Sequence, residues 1–194
     1  ARKKDVIFEP VNVNFILEDL VKLLGPTFPK TISIQLSPQP DLPNILADTN
    51  QLHQVLMNLC VNARDAMASG GELSISTKTV KRQEVRKKFH NAADEEYICV
   101  AVTDTGSGMD EATRSRIFEP FFTTKGVGKG TGLGLAVVYG IVKSHQGYIA
   151  VESELERGTT FQIYFRAQKQ VQEPGDAELP VQEEIVGGPE TILF

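Results

Sequence analysis

The run YICVAVTDTGSG, residues 97–108, decides the fold. Tyr97 to Thr103 is hydrophobic, β-branched and aromatic, the make-up of a strand. It runs directly into Asp104-Thr105-Gly106-Ser107-Gly108. A carboxylate at a strand end can accept a hydrogen bond from an amine, and neighbouring glycines let the backbone approach a planar ligand. Taken alone, the pentapeptide is an ordinary Asp/Gly turn. Its meaning depends on the flanking segments.

Upstream, a long helix begins near Thr49, whose hydroxyl can cap it, and ends at Gly70-Gly71. Leu52, Val55, Leu56, Leu59, Ala63, Ala66 and Met67 form its apolar face. Asn58, Asn62 and Asp65 fall at i, i+4 and i+7 and so share one side. Amide oxygens at that spacing suit a hard cation such as Mg²⁺, which keeps several waters and bridges phosphates. A solvated polar face has the same pattern. Further upstream, Val6 to Val13 reads as a short strand. Asn14 caps a helix over Phe15 to Leu24, with Phe15, Leu20, Leu23 and Leu24 at helical spacing, and Gly25-Pro26 stops it. Ile32, Ile34 and Leu36 alternate as a strand, Ile45-Leu46-Ala47 is a shorter one, and Leu73 and Ile75 belong to the next. Lys81 to Glu95 is a polar, charged connection.

Downstream, Arg116 to Gly134 is rich in Phe, Thr, Lys and Gly with little regular pattern, and a loop that long is usually functional. Its end, Gly126-Val-Gly-Lys-Gly-Thr-Gly-Leu-Gly134, opens into a helix over Leu133 to Ser144 that Gly147 ends. Free amides at a helix start favour an anion. The run is not a Walker A loop, because Gly130 rather than Ser or Thr follows Lys129 and no strand precedes it. Tyr148 to Glu152 and Thr159 to Phe165 are strands joined at Arg157-Gly158. Helices and strands are mixed rather than alternating, which predicts an α+β fold with a layer of helices on one sheet.

The 194 residues suggest one domain with tails or two very small ones, and 41% hydrophobic residues suffice for a packed core. Net charge is −5 and no basic stripe interleaves with aromatics, which argues against nucleic acid. The basic cluster Lys78 to Lys88 is broken by Gln83, Glu84 and Val85 and reads as a solvated face. No segment has the length of a bilayer span or the pattern of a signal peptide, so no direct membrane contact is expected. Cys60 and Cys99 lie in apolar segments without CxxC spacing, the pattern of buried reduced thiols in a cytoplasmic protein. After Arg166 the composition turns Gln/Glu/Pro/Gly-rich, so 167–188 reads as a linker and 189–194 as the start of another strand.

Each element is weak, but their order is specific. Asn58-x₃-Asn62, Asp104-x-Gly-x-Gly, Phe118-Glu-Pro-Phe-Phe122, Gly130-Thr-Gly-Leu-Gly134 and Gly158-Thr-Thr-Phe161 follow one another. This series resembles the catalytic ATP-binding domain of sensor histidine kinases, part of the GHKL superfamily with DNA gyrase and the heat-shock and mismatch-repair ATPases. The resemblance covers residues 6–166. It implies a two-layer α/β sandwich, the Bergerat fold, in which helices cover one face of a mixed sheet beside a flexible ATP lid. It also implies ATP and Mg²⁺ as cofactors.

By the same resemblance Asn62 binds Mg²⁺, with Asn58 one turn earlier. Asp104 accepts the adenine amino group, helped by Thr159 through water, and Gly106, Gly108 and Met109 pass near the base. Phe118 to Lys125 begins the lid, with Lys125 and Lys129 reaching phosphate. Gly130, Thr131, Gly132, Leu133, Gly134 and Leu135 surround the phosphate chain. One departure stands out: many such kinases carry a basic residue three positions after the Mg-binding asparagine, where this chain has Asp65. Arg64 leaves the helix about 100° away in azimuth. Asp65 is nevertheless grouped with the nucleotide site.

The ATPases of the superfamily place a water-activating glutamate where this chain has Asn58, and an amide is no base. Phosphoryl transfer to a supplied histidine is therefore expected, with Asn58 and Lys125 as the catalytic pair. His53, His90 and His145 are followed by Gln54, Asn91 and Gln146 rather than an acid, so they read as surface or helix-end histidines. The acceptor is expected on a separate dimerisation domain before residues 1–5, in a homodimeric parent. Residues 188–194 resemble the entry strand of a receiver domain, which implies a hybrid kinase. The rival readings are a degenerate nucleotide switch without transferase activity and a serine kinase of the anti-sigma type.

Overall fold

The computed structural model describes residues 6–126 and 130–168. In chain order the first elements are β1 (Glu9–Val11), α1 (Val13–Leu24), β2 (Ile32–Ser37), β3 (Ile45–Ala47), α2 (Thr49–Ala66) and β4 (Gly71–Lys81). There follow α3 (Arg82–Arg86), β5 (Glu96–Asp104), α4 (Glu111–Arg114), α5 (Gly134–Ser144), β6 (Tyr148–Glu154) and β7 (Gly158–Arg166). One mixed sheet has the order β2-β4-β5-β7-β6, with β2 and β4 parallel and the other neighbours antiparallel. β1 and β3 form a separate antiparallel pair.

The core lies between this sheet and α1, α2 and α5. Strand alternation aims Leu73, Ile75, Ile98, Val100, Val102, Phe161 and Ile163 at one face. Leu52, Val55, Leu56 and Leu59 of α2 and Val138 and Val142 of α5 pack against them. This is the expected α+β arrangement. Burial pushes the free thiols of Cys60 and Cys99 up to about 12 and about 11, so they stay protonated.

Several sequence expectations need correction. Helix α1 is capped by Asn12, which accepts the Asn14 amide at 3.0 Å, not by Asn14. Asn14 instead bridges outward, donating to the Gln39 carbonyl at 2.8 Å and accepting from Thr77 at 2.8 Å. Starting at Val13 turns Val13, Ile16, Leu17, Leu20 and Leu24 inward, and leaves Phe15 and Leu23 at 68% and 56% exposure. Helix α2 is capped by Asp48, which accepts the Gln51 amide at 3.0 Å, while the Thr49 hydroxyl donates to Glu9.

The polar connection after β4 is not wholly solvated either. It holds α3, and Val85 and Ala92 join Val80, Tyr97, Cys99 and Tyr164 in a second cluster. Those strand residues have the opposite parity to the main core, so this cluster covers the other face at the far end of β5. His145 is at a helix end, as expected, but it is buried rather than on the surface. Its Nε2 accepts the Asp48 amide at 3.1 Å and its Nδ1 lies 2.8 Å from the Ile141 carbonyl. The sites assigned to residues 1–5, Lys129, most of the linker and 189–194 lie outside the described residues.

The Asp48 cap yields a stability prediction. Its carboxyl is held below the ordinary range, chiefly by the Gln51 amide, so its contribution is present above that range and lost as pH falls through the lowered value. Asp48→Ala should cost about 1–2 kcal/mol in denaturant unfolding at neutral pH, against about 0.5 kcal/mol or less for Thr49→Ala.

Candidate active site

Asp104 ends β5 directly opposite Thr159 of β7. Its side chain accepts the Gly106 amide at 2.8 Å and is buried to 5% exposure. Burial pushes the carboxyl above its ordinary value, and the Gly106 and Thr159 amides offset this only in part. The Thr159 hydroxyl lies 2.9 Å from Ser153 Oγ, so Thr159 reaches Asp104 through its backbone.

The loop after Asp104 is held from three directions. The Ser107 amide donates to the Ala66 carbonyl at the end of α2, 3.1 Å away. Thr105 exchanges two bonds with Glu72 of β4, at 3.2 and 2.9 Å. The Glu156 amide in the β6–β7 turn donates to the Ser107 carbonyl at 2.8 Å. Gly108 has φ of 62°, and a Cβ there would strike the Glu154 carbonyl. Only glycine fits both constraints.

Along α2 the polar side chains meet Lys125 and Gly134. Asn58 Nδ2 donates to the Gly134 carbonyl at 3.3 Å, linking α2 to the start of α5. Lys125 Nζ lies 2.6 Å from Asp65 Oδ2 and 3.4 Å from Asn62 Oδ1. Arg64 takes the other Asp65 oxygen, Oδ1, at 2.8 and 3.0 Å, and its guanidinium sits over Phe28 at 5.7 Å. Arg64 is thus committed to Asp65 and Phe28. Burial raises the Asp65 carboxyl, but its bonds to Lys125 and Arg64 outweigh this and leave it lowered.

These parts surround one cavity of about 470 Å³. Helix α2 supplies Asn58, Asn62 and Asp65, and the end of β5 with its loop supplies Asp104, Gly108 and Met109. Lys125, Gly130, Thr131, Gly132, Gly134 and Leu135 close another side, and Thr159 comes from β7. Three expected members lie outside this lining. Gly106 is pressed against the Ala66 backbone, where a Cβ would come within 2.7 Å of its carbonyl oxygen. Phe118 turns toward Tyr139, ring centroids 5.3 Å apart. Leu133 precedes α5 with its side chain 38% exposed.

The sequence reading missed Val61, Ala63 and Ala66 of α2, together with Ser107, Thr113 and Ile117. Phe122, Thr123 and Thr124, which fall in the expected lid span 118–125, also line the cavity, as does Phe161 from the last motif. Val61, Ala63, Ala66, Thr113 and Ile117 are small or apolar walls outside every motif, whereas Ser107, Phe122 and Phe161 sit inside motifs without an assigned role. Ala66 was within reach, since it stands one turn after Asn62 on the same face.

Residues 47–169 match the model of the family described as histidine kinase-, DNA gyrase B-, and HSP90-like ATPase. The chain is 38% identical over 187 residues to sensor kinase CckA of Brucella abortus, covering 96% of this chain and 20% of that protein. It is 40% identical over 153 residues to sporulation kinase A of Bacillus subtilis, covering 79% and 22%. Among solved structures, full-length ShkA in complex with AMPPNP is similar with a TM-score of 0.69 at 27% identity, covering 87% of this chain and 33% of that one. The nucleotide-free catalytic domain of histidine kinase ThkA gives 0.67 at 26% identity, covering 82% and 95%. The chain spans about a fifth of the length of CckA and of sporulation kinase A.

The buried carboxylate allows folding and recognition to be separated. Asp104→Asn removes an ionised group that burial disfavours, so thermal unfolding at neutral pH should show a fold at least as stable as the parent's. The amide that replaces the carboxylate cannot accept on both sides, so one of its N–H groups must face either the backbone amides or an incoming amine. On the expectation that Asp104 accepts the adenine amine, adenine-nucleotide affinity should therefore fall about tenfold or more by calorimetry. In the parent, affinity should also decline as pH falls through the raised Asp104 value, because a protonated carboxyl loses acceptor capacity.

Proposed function

Because the chain belongs to the family of histidine kinase-, DNA gyrase B- and HSP90-like ATPases, we propose that it binds Mg²⁺-ATP and passes the γ-phosphoryl group to a histidine on another domain. The observation that carries this reading is that Asn62 and Asp104, far apart in sequence, line one cavity floored by α2. In this reading Asp104 receives the adenine amine, and Gly108 lets the base lie against the backbone. The 130–134 segment offers amides to the phosphate chain.

The donor set fits a hard divalent ion. Asn62 Oδ1 and Asp65 Oδ2 converge on one cation, the Lys125 ammonium, which acts as a stand-in. Among the described residues no cluster of three His, Cys, Asp or Glu could hold a metal. Nucleotide oxygens and water would complete the shell, as Mg²⁺ prefers. When bound, the ion neutralises phosphate charge. Asn62 orients it, and Lys125 carries a further positive charge for the transferred group.

Transfer rather than hydrolysis is favoured by what the cavity lacks. The carboxylates lining it are Asp65, held by Arg64 and Lys125, and Asp104, buried among backbone amides. Asn58 donates to the Gly134 carbonyl and is an amide, so it cannot take a proton from water. The unprotonated nitrogen of a neutral imidazole attacks with its own lone pair: the N–P bond forms as the bond from the γ-phosphorus to the bridging oxygen breaks, ADP leaves, and the proton on the other ring nitrogen passes to solvent. Of the chain's own histidines, His145 is buried, and His53 and His90 do not line the cavity. We assign the acceptor to a histidine-bearing dimerisation domain of a longer homodimeric sensor kinase working in the cytoplasm. A receiver domain after residue 194 is its proposed next partner.

Incubated with radiolabelled ATP, the chain alone should gain no label. With an added histidine-bearing dimerisation domain it should produce an acid-labile phosphoprotein. Asp104→Ala should weaken binding of an ATP analogue by about 1–3 kcal/mol, roughly tenfold or more. Binding without transfer in trans would point to a nucleotide-responsive switch, and an acid-stable product to a serine kinase.

A further inference from the structure

The Asn62–Asp65 face of α2 holds a positive charge that belongs to the chain itself. Asp65 occupies the first position after Asn62 on that face, three residues on. Its carboxylate is divided between two cations: Oδ1 belongs to Arg64, which is anchored over Phe28, and Oδ2 points at Lys125 Nζ from 2.6 Å. The same ammonium lies 3.4 Å from Asn62 Oδ1. Arg64 therefore fixes the carboxylate so that one oxygen is presented to the cavity beside the amide oxygen. Two hard oxygens so arranged suit an ammonium or a divalent ion. They cannot hold both, because a divalent ion at about 2.1 Å from Asn62 Oδ1 would stand within a few ångströms of the ammonium.

We propose that Lys125 and the divalent metal ion exchange at this one position, with Asp65 as the residue that positions Lys125 when the metal is absent. The inference rests on the nucleotide reading above. Entry of the metal expels the ammonium from Asp65 and Asn62 and frees it to meet the phosphates. Release also moves backbone. The Lys125 amide donates to Thr123 Oγ1 at 3.1 Å, and Gly130 packs so tightly on Thr123 and Lys125 that a Cβ there would lie 2.7 Å from Thr123 Oγ1. Metal binding is thereby transmitted from Lys125 to Thr123 and Gly130. An idle surface ion pair would do none of this, and such pairs contribute little by themselves.

The test uses the 194-residue chain without nucleotide and Mn²⁺ as a paramagnetic probe, with free Mn²⁺ read by electron spin resonance. Lys125→Met removes the competitor and should bind Mn²⁺ about five- to fiftyfold more tightly than the parent, the usual size of such couplings. Lys125→Arg keeps a cation and should show no gain. Adding Asp65→Asn to Lys125→Met should abolish the gain. Asp65→Asn alone should raise hydrogen exchange at the Lys125 amide, as Mn²⁺ should in the parent. Equal Mn²⁺ affinity in parent and Lys125→Met overturns the exchange, including the case where neither binds. Titration of each variant with an ATP analogue separates the two proposals. Nucleotide binding with unchanged Mn²⁺ affinity sinks only the exchange, and a Mn²⁺ gain with no nucleotide binding by any variant sinks only the nucleotide reading.

Discussion

Three hydrogen-bonded attachments to the loop after Asp104 set the geometry of everything around the cavity. Ser107 fastens it to the last turn of α2, Thr105 to the start of β4, and Glu156 brings in the β6–β7 turn. Only Gly106 of this loop is buried, and each of the three attachments lies on a different element. The strand end bearing Asp104 is thereby locked to the helix bearing Asn62. Side chains at Gly106 and Gly108 would force these elements apart, which is why the glycines serve packing as much as ligand approach.

A second joint fastens the other end of α2. The Asp48 carboxylate caps the helix and also accepts the Ile7 amide at 3.1 Å, while its own amide donates to His145 at the end of α5. Phe8 packs on the His145 ring at 4.9 Å. Between the two joints, Asn58 reaches the Gly134 carbonyl. Helix α2 is thus tied at its start, middle and end, and the chain that enters before β1 rests on the same buried histidine. Strain applied to that entry would reach α2 and α5 together.

The Lys125 side of the cavity is built differently. Lys125 meets α2 through an ion pair whose side chains are 35% and 28% exposed rather than through backbone bonds, and pairs of that kind contribute little by themselves. A floor fixed by backbone bonds thus faces a side held by a side-chain ion pair. The second apolar cluster, around Tyr97 and Tyr164, buttresses the opposite end of the sheet and takes no part in the cavity.

By itself the sequence determined the mixed helix-and-strand class and the family, because glycines and carboxylates at fixed spacings are local statements about backbone and charge. Asn58, Asn62, Asp104 and the 130–134 run could be picked out on those grounds. Local pattern could not choose between Asn12 and Asn14, or between Asp48 and Thr49, as helix caps, because all four are suitable residue types. Tertiary packing chose, by demanding that Val13 and Ile16 face inward and that His145 meet the Asp48 amide. Only the fold revealed the apolar walls at Ile117 and Phe161, the satellite cluster over Val85, and the meeting of Lys125 with Asp65. Such contacts join segments tens of residues apart, and no spacing within either segment encodes the other.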